Sequence, residues 1–290
     1  MEMSEAKYQP VHYSADKERL LEDLPPPVRR YIYHDEEQFC RILHFEKNRF
    51  GTSPGRGQNV DPDARQYVVF LIDPSSFERD LAEESGPIKH TPCSYNSTTH
   101  ILILKMVTHE HTQAIHAFSK AIDGALQVMG LDRRADSFLM TDVPVNETTM
   151  KLPDWGLGPR GALPKRPTIV LEVAVSEPWP KLDNDARMWV DPNRGKCNLA
   201  VTIKVNRKKA EIMLDKWEWE STPPVAEAII TQHIVISKAG DEVKVSEHPF
   251  RIPFHLIFNR APQPPRETDI VLEKHVLIDI AEWVWETQGF

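Results

Sequence analysis

The stretch Pro167-Thr168-Ile169-Val170-Leu171-Glu172-Val173-Ala174-Val175 constrains the fold more than any other part of the chain. With the two-residue period of a strand, Ile169, Leu171, Val173 and Val175 share one face, while Val170 and Ala174 flank Glu172 on the other. Apolar residues on both faces mark a central strand covered on both sides, so a layered α/β structure must surround it. The acid at its centre is the exception. Burying an unpaired carboxylate costs several kcal/mol or forces its pKa upward.

The flanking periodicities supply the layers. His111 to Met129 places Ala114, Phe118, Ala121, Ile122, Ala125, Leu126 and Met129 on one helical face, and Gly130 ends the pattern. Trp179 to Val190 predicts a second amphipathic helix with Leu182, Ala186 and Trp189 inward. Phe138 to Val145 and Thr149 to Leu152 read as strands paired around Asn146-Glu147. Leu199 to Val205 and Ala210 to Trp219 read as strands joined near Asn206-Arg207-Lys208. From residue 109 to 219 the expected order is therefore helix, three strands, helix, two strands.

Beyond it, Ile229 to Ser237 and Glu242 to Ser246 read as a hairpin. Glu273 to Thr287 reads as a C-terminal helix with Ile278, Ala281, Val284 and Trp285 on its buried side. Upstream, Val28 to Phe50 has helix-like spacing, Tyr67 to Ile72 reads as a short strand, and Ile101 to Met106 is an apolar run. The loop from Gly51 to Gly57 lacks the Gly-Lys-Ser/Thr of a phosphate cradle. The expected class is α/β (α+β), with an N-terminal extension over 1–95 and a domain over 96–290. That domain has a core at about 109–220 and a C-terminal hairpin and helix at 225–290.

Charge and cysteines narrow the function classes. The net charge of −8 over 290 residues argues against a broad nucleic-acid surface, although Lys204 to Lys209 is locally basic. Cys40, Cys93 and Cys197 are odd in number and form neither a zinc spacing nor a disulfide framework. No apolar run is long enough to span a membrane and no signal-peptide pattern opens the chain, so an intracellular protein, cytoplasmic or nuclear and not secreted, is expected, without a membrane partner. His109-Glu110-His111 lacks the His-Glu-x-x-His spacing of a zinc site. No protein partner can be read from the chain.

Glu172 needs a cation, a metal or a set of donors beside it. Asp154, in Leu152-Pro153-Asp154, lies just after the preceding expected strand. If the two strands are neighbours, both carboxylates converge at the sheet's edge, a donor pair suited to Mg²⁺. The plainer alternative is a structural acid paired with Arg187 or Lys181. Asp183 and Arg187, like Lys181 and Asp185, have the spacing of helix-surface ion pairs.

Pro153-Asp154, a glycine-bearing connection and Glu172 in an apolar strand, within the order α-β-β-β-α-β, resemble the PD-(D/E)XK nuclease superfamily. More narrowly, Glu172-Val173, Ser176, Asp183 and Arg187 resemble the pattern of its Uma2-like branch. The chain is also similar to uncharacterised fungal proteins with a Glu-Val, Ser-Glu, Pro-Lys-Leu and Asp-Ala-Arg-x-Trp run. The likeness covers roughly residues 109–220 and continues more weakly to about 287. It implies a restriction-endonuclease-like core, a central mixed sheet flanked by helices. It also implies that Asp154 and Glu172 hold Mg²⁺ or Mn²⁺, which lowers the pKa of a bound water and stabilises charge on the phosphate.

Ala174 stands where the motif Glu-x-Lys has lysine. Uma2-like members carry that lysine on the following helix, where Lys181 and Arg187 are the candidates. Arginine stays protonated and is a poor base, but it can clamp a phosphate. Related nucleases often place a further acid where Glu110 stands. The resemblance implies a metal-dependent nuclease hydrolysing phosphodiester bonds of DNA or RNA. The alternative is a catalytically inactive binding or interaction module on the same fold.

Overall fold

A computed structural model describes residues 21, 24, 28–51, 66–83, 86–88, 91–139, 141–145, 147–175, 179–222 and 226–290. The chain opens with β1 (Arg30–Ile32), α1 (Glu36–Gly51), β2 (Tyr67–Leu71), β3 (Cys93–Asn96) and β4 (Ile101–Lys105). Next come α2 (His109–Met129), β5 (Ala135–Phe138), the short strands β6 (Val143–Pro144) and β7 (Thr149–Lys151), then β8 (Trp155–Pro159) and β9 (Ile169–Val175). There follow α3 (Pro180–Val190), β10 (Leu199–Val205), β11 (Glu211–Glu220), β12 (Glu227–Ala239) and β13 (Glu242–Val245). The chain ends with β14 (Phe250–Ile252), α4 (Phe254–Phe258), β15 (Ile270–Leu272) and α5 (Lys274–Gln288).

Two sheets dominate this mixed α/β structure. The first has the order β1-β2-β4-β3-β7-β6, the second β13-β12-β11-β10-β9-β8-β5. In the second, β9 and β10 run parallel with α3 as their crossover, and β8 is antiparallel to both β9 and β5. All seven residues of β9 are buried, as a parallel strand covered on both faces requires. Ile169, Leu171, Val173 and Val175 pack with Phe118, Ile122 and Leu126 of α2 and with Leu277, Ala281 and Trp285 of α5. On the opposite face Val170, Ala200 and Trp217 pack against Ala186 and Trp189 of α3. Each such side chain, fully buried, contributes about 1.5–3 kcal/mol.

Local chemistry sets the ends of α2. The Thr108 side chain accepts from His111 N–H at the start, and Gly130 ends the helix in the left-handed conformation at φ 71°. On α5 the buried residues are Leu277, Ile280, Ala281, Val284 and Trp285, whereas Ile278 is half-buried.

Several sequence expectations change here. The strand beside β9 is β8, not the segment 149–152. β6 and β7 do pair with each other, but they join the first sheet, while Phe138 belongs to β5 and pairs with β8. The segment Trp155-Gly156-Leu157-Gly158-Pro159 hides its strand character behind two glycines and a proline. The glycines are required by close approach: a Cβ at Gly156 would lie 2.9 Å from Pro167 Cβ, and one at Gly158 would lie 2.9 Å from the Arg166 carbonyl oxygen.

The helix-like spacing from Val28 to Phe50 resolves into β1 and α1, which starts only at Glu36. A boundary after residue 95 falls inside β3, and the first sheet also recruits β6 and β7 from residues 143–151. The glycine-rich loop beyond Gly51 lies outside the described residues. Among the described residues, no helix is long and apolar enough to cross a membrane.

Candidate functional site

The pairing of β8 with β9 positions the two acids. Trp155 is registered on Leu171 and Gly156 on Val170, so Asp154, one residue before β8, comes beside Glu172. Asp154 is fixed there by the Val173 N–H, which donates to its Oδ2 at 2.7 Å. Glu172 lies on the face covered by α3, where the Trp189 indole N–H donates to its Oε1 at 2.7 Å.

Both acids meet lysines from the other sheet. Lys105, the last residue of β4, donates to Asp154 Oδ2 at 2.5 Å and to Glu172 Oε2 at 3.3 Å. Lys151, the last residue of β7, stands 3.2 Å from Glu172 Oε1 and 2.7 Å from Asp185 Oδ2. Lys181 closes the chain of charges on Asp185 Oδ1. His111 of α2 places Nε2 3.1 Å from Asp154 Oδ2. Asp154, Glu172 and Asp185 thus answer Lys105, Lys151 and Lys181; all but the half-buried Lys181 are buried, with Glu172 only 2% and Asp154 4% exposed.

Charges about 3 Å apart attract by roughly 5 kcal/mol at an effective dielectric constant near 20. Desolvation, costing several kcal/mol per ion, offsets much of that. The balance differs by residue. Burial opposes ionisation of Asp154, but Lys105 and His111 outweigh it and hold the carboxyl well below the usual range. Burial likewise opposes ionisation of Asp185, yet Lys151 and Lys181 hold it at about 2. Burial also opposes charge on Lys105 and Lys151; the carboxylates Asp154 and Glu172 raise the first, Asp185 and Glu172 the second. Lys181, with Asp185 for its carboxylate and Lys151 nearby, is pushed down by burial.

Of the residues expected from sequence, Asp154 and Glu172 are brought together. Lys181 sits at one remove, on Asp185. Arg187 is not brought in: it is exposed, donates to the Ala228 carbonyl oxygen at 3.2 Å, and lies 5.1 Å over the Trp217 ring. Nor does Asp183 pair with Arg187; it meets Lys204 at 2.9 Å, and Lys204 also contacts Asp215 at 3.1 Å. Glu110 pairs with Arg207 at 3.3 Å. Two cations of the basic segment 204–209 are therefore engaged internally. Ser176 lies outside the described residues. Sequence reasoning missed Lys105, Lys151 and His111 as partners of the acid pair and Asp185 as the acid shared by Lys151 and Lys181, and the one available signal was a lysine closing the apolar run Ile101–Lys105.

A divalent ion shared by Asp154 and Glu172 needs free carboxylate oxygens aimed at one point. The Lys105 ammonium already stands at that point. Of the four oxygens, only Asp154 Oδ1 is without a hydrogen-bond partner. The donor set as arranged does not fit Mg²⁺ or Mn²⁺, because the ion would lie against an ammonium with one open oxygen to hold it. Among the described residues, no group of three or more His, Cys, Asp or Glu side chains is arranged to hold a metal.

No family model matches the sequence, and no curated protein matches it.

Proposed function

We propose that this chain is a nuclease-like α/β module that acts by binding and does not hydrolyse, with its acid pair turned into an internal lock. The PD-(D/E)XK-like part of the reading is supported by the order α2-β5-β8-β9-α3-β10, interrupted only by the β6–β7 hairpin. It is supported as well by the place of the two acids, Asp154 one residue before β8 and Glu172 within β9. The observation that carries the non-hydrolytic reading is the position of Lys105 Nζ between the two carboxylates, in a buried network whose three acids and three lysines balance without a metal. Three of the four carboxylate oxygens of the pair are already bonded, so a phosphate-bound ion would have to displace Lys105 to be shared by both acids.

The test is incubation of wild type, Asp154→Ala and Glu172→Ala with plasmid and with RNA, in Mg²⁺ and in Mn²⁺. The expected result is the same absence of cleavage in all three proteins. Cleavage by wild type that disappears in both variants would overturn the reading.

One observation favours a metal-dependent nuclease as the second reading. Lys105 gives the acid pair the ammonium that Ala174 does not, and Asp154 Oδ1 is left without a partner. On that reading Lys105 stands closest to the reacting phosphate or water, Lys181 and Arg187 do not, and DNA or RNA is the substrate. The same assay separates the readings.

A further inference from the structure

In a chain of net charge −8, one end of the second sheet is basic. It is the far end of β8 from Asp154, about 16 Å away at the usual strand rise. The turn after α2 carries Arg133 and Arg134, and the loop from β8 to β9 carries Arg160, Lys165 and Arg166. Arg160 ties the two together: its backbone N–H donates to Arg134 O at 2.8 Å and its guanidinium to Arg133 O at 3.3 Å. Arg166 ties the loop to the next turn by donating to Gly195 O, between Arg194 and Lys196. These segments hold seven cations against three acids, Asp132, Asp136 and Asp191.

Most of this charge faces water. Arg133, Arg134, Lys165, Arg194 and Lys196 are exposed and make no ion pair with a described residue; Arg160, also exposed, pairs loosely with Asp136 at 3.6 Å. In the middle of the loop stands Leu163, 91% exposed. Gly161, at φ 77° with open space around it, turns the chain just before.

We propose that this surface docks the protein on an anionic lipid bilayer. Leu163 enters the boundary between headgroups and acyl chains, and the surrounding arginines and lysines meet the headgroup phosphates. Cations alone would serve any polyanion. The bare leucine among them is what a lipid boundary uses and a nucleic-acid backbone does not. The acidic remainder of the chain is repelled by an anionic leaflet, so charge also sets the orientation. The inference is independent of whether the acid network hydrolyses anything.

The test is co-sedimentation of the full chain with vesicles of phosphatidylcholine alone and of phosphatidylcholine with phosphatidylserine, with duplex DNA in a parallel binding assay. Binding is expected to the phosphatidylserine vesicles, to weaken with salt, and to be absent for phosphatidylcholine alone. Lys165→Glu should lose roughly fivefold or more per vesicle titration, since each basic side chain near the leaflet is worth about that factor. Leu163→Asp should lose on the order of tenfold, with an unchanged circular dichroism spectrum. Absence of binding to phosphatidylserine vesicles at low salt overturns the proposal. So does wild-type binding by Leu163→Asp, or binding of DNA but not vesicles that is lost in Lys165→Glu.

Discussion

Lys105 at the end of β4 and Asp154 just before β8 meet at 2.5 Å across the junction of the two sheets. The same ammonium reaches Glu172 at 3.3 Å, and Lys151 from the first sheet reaches Glu172 from its other side. The first sheet thus supplies two of the cations that allow the second to bury its acids. This contact, more than any helix-surface pair, explains how a carboxylate sits inside an apolar strand.

Lys105→Met should be among the most damaging single changes in the chain. Removing one partner from a buried ion pair costs about 3–5 kcal/mol, because the remaining charges are left uncompensated. The thermal midpoint in scanning calorimetry should fall on the order of 10 °C. Arg187→Met removes an exposed cation–π and carbonyl contact and should cost about 1 kcal/mol or less. Similar shifts for the two variants would count against the network.

Acid should unfold the protein through this network. Asp154 and Asp185 have depressed pKa values, the second at about 2, so their contribution is fully present above the unfolded carboxylate value near 4 and is lost as pH falls through the folded values. Stability measured in urea at successive pH values should decline from about pH 4 downward. Lys105 and Lys151 have raised values, so their contribution is present below the unfolded lysine value near 10.4 and lost above it. A flat profile between about pH 4 and 2 would show that the carboxylates are not held ionised.

The glycines of β8 should resist substitution where other glycines do not. Gly158→Ala forces a Cβ to 2.9 Å from the Arg166 carbonyl oxygen and should cost about 1–3 kcal/mol in denaturant unfolding. Gly124→Ala, exposed on α2 with open space around it, should stabilise by about 0.5–1 kcal/mol. Equal tolerance at both positions would mean that β8 does not lie against the loop before β9 as described.

How much of this was legible follows from where each partner lies in the chain. β9, α2, α3, β10 and β11 follow from uninterrupted periodicity, and Glu172 stands out because it breaks an apolar strand. The strand that brings it to Asp154 is not legible, since the glycines and proline of β8 erase the strand pattern that 149–152 displays. The counter-charges were hidden for another reason. Lys105 is 67 positions from Glu172 and in another sheet, so no local spacing connects them. Lys181 and Asp185, four apart on one helix, do pair as their spacing allows. Asp183 and Arg187 share that spacing and do not, because Lys204 captures Asp183 across the helix–sheet interface.

Cutting the chain should expose the same dependence. Residues 96–290 alone keep β4 and β7 but lose β1, β2 and nearly all of β3, which cover Ile101, Ile103 and their neighbours. That fragment should show no sharp unfolding transition, by near-ultraviolet circular dichroism, while the full chain does. Cooperative unfolding of the fragment would mean that the second sheet is a self-sufficient domain.

The central claim, that protein lysines occupy the place a metal would take, is tested most directly by titrating Mn²⁺ into the full chain in a calorimeter. The expected result is no saturable heat, in wild type and in Asp154→Asn alike. Saturable binding by wild type that vanishes in Asp154→Asn would contradict the account, because it would show that the ion can displace Lys105 from between the two acids.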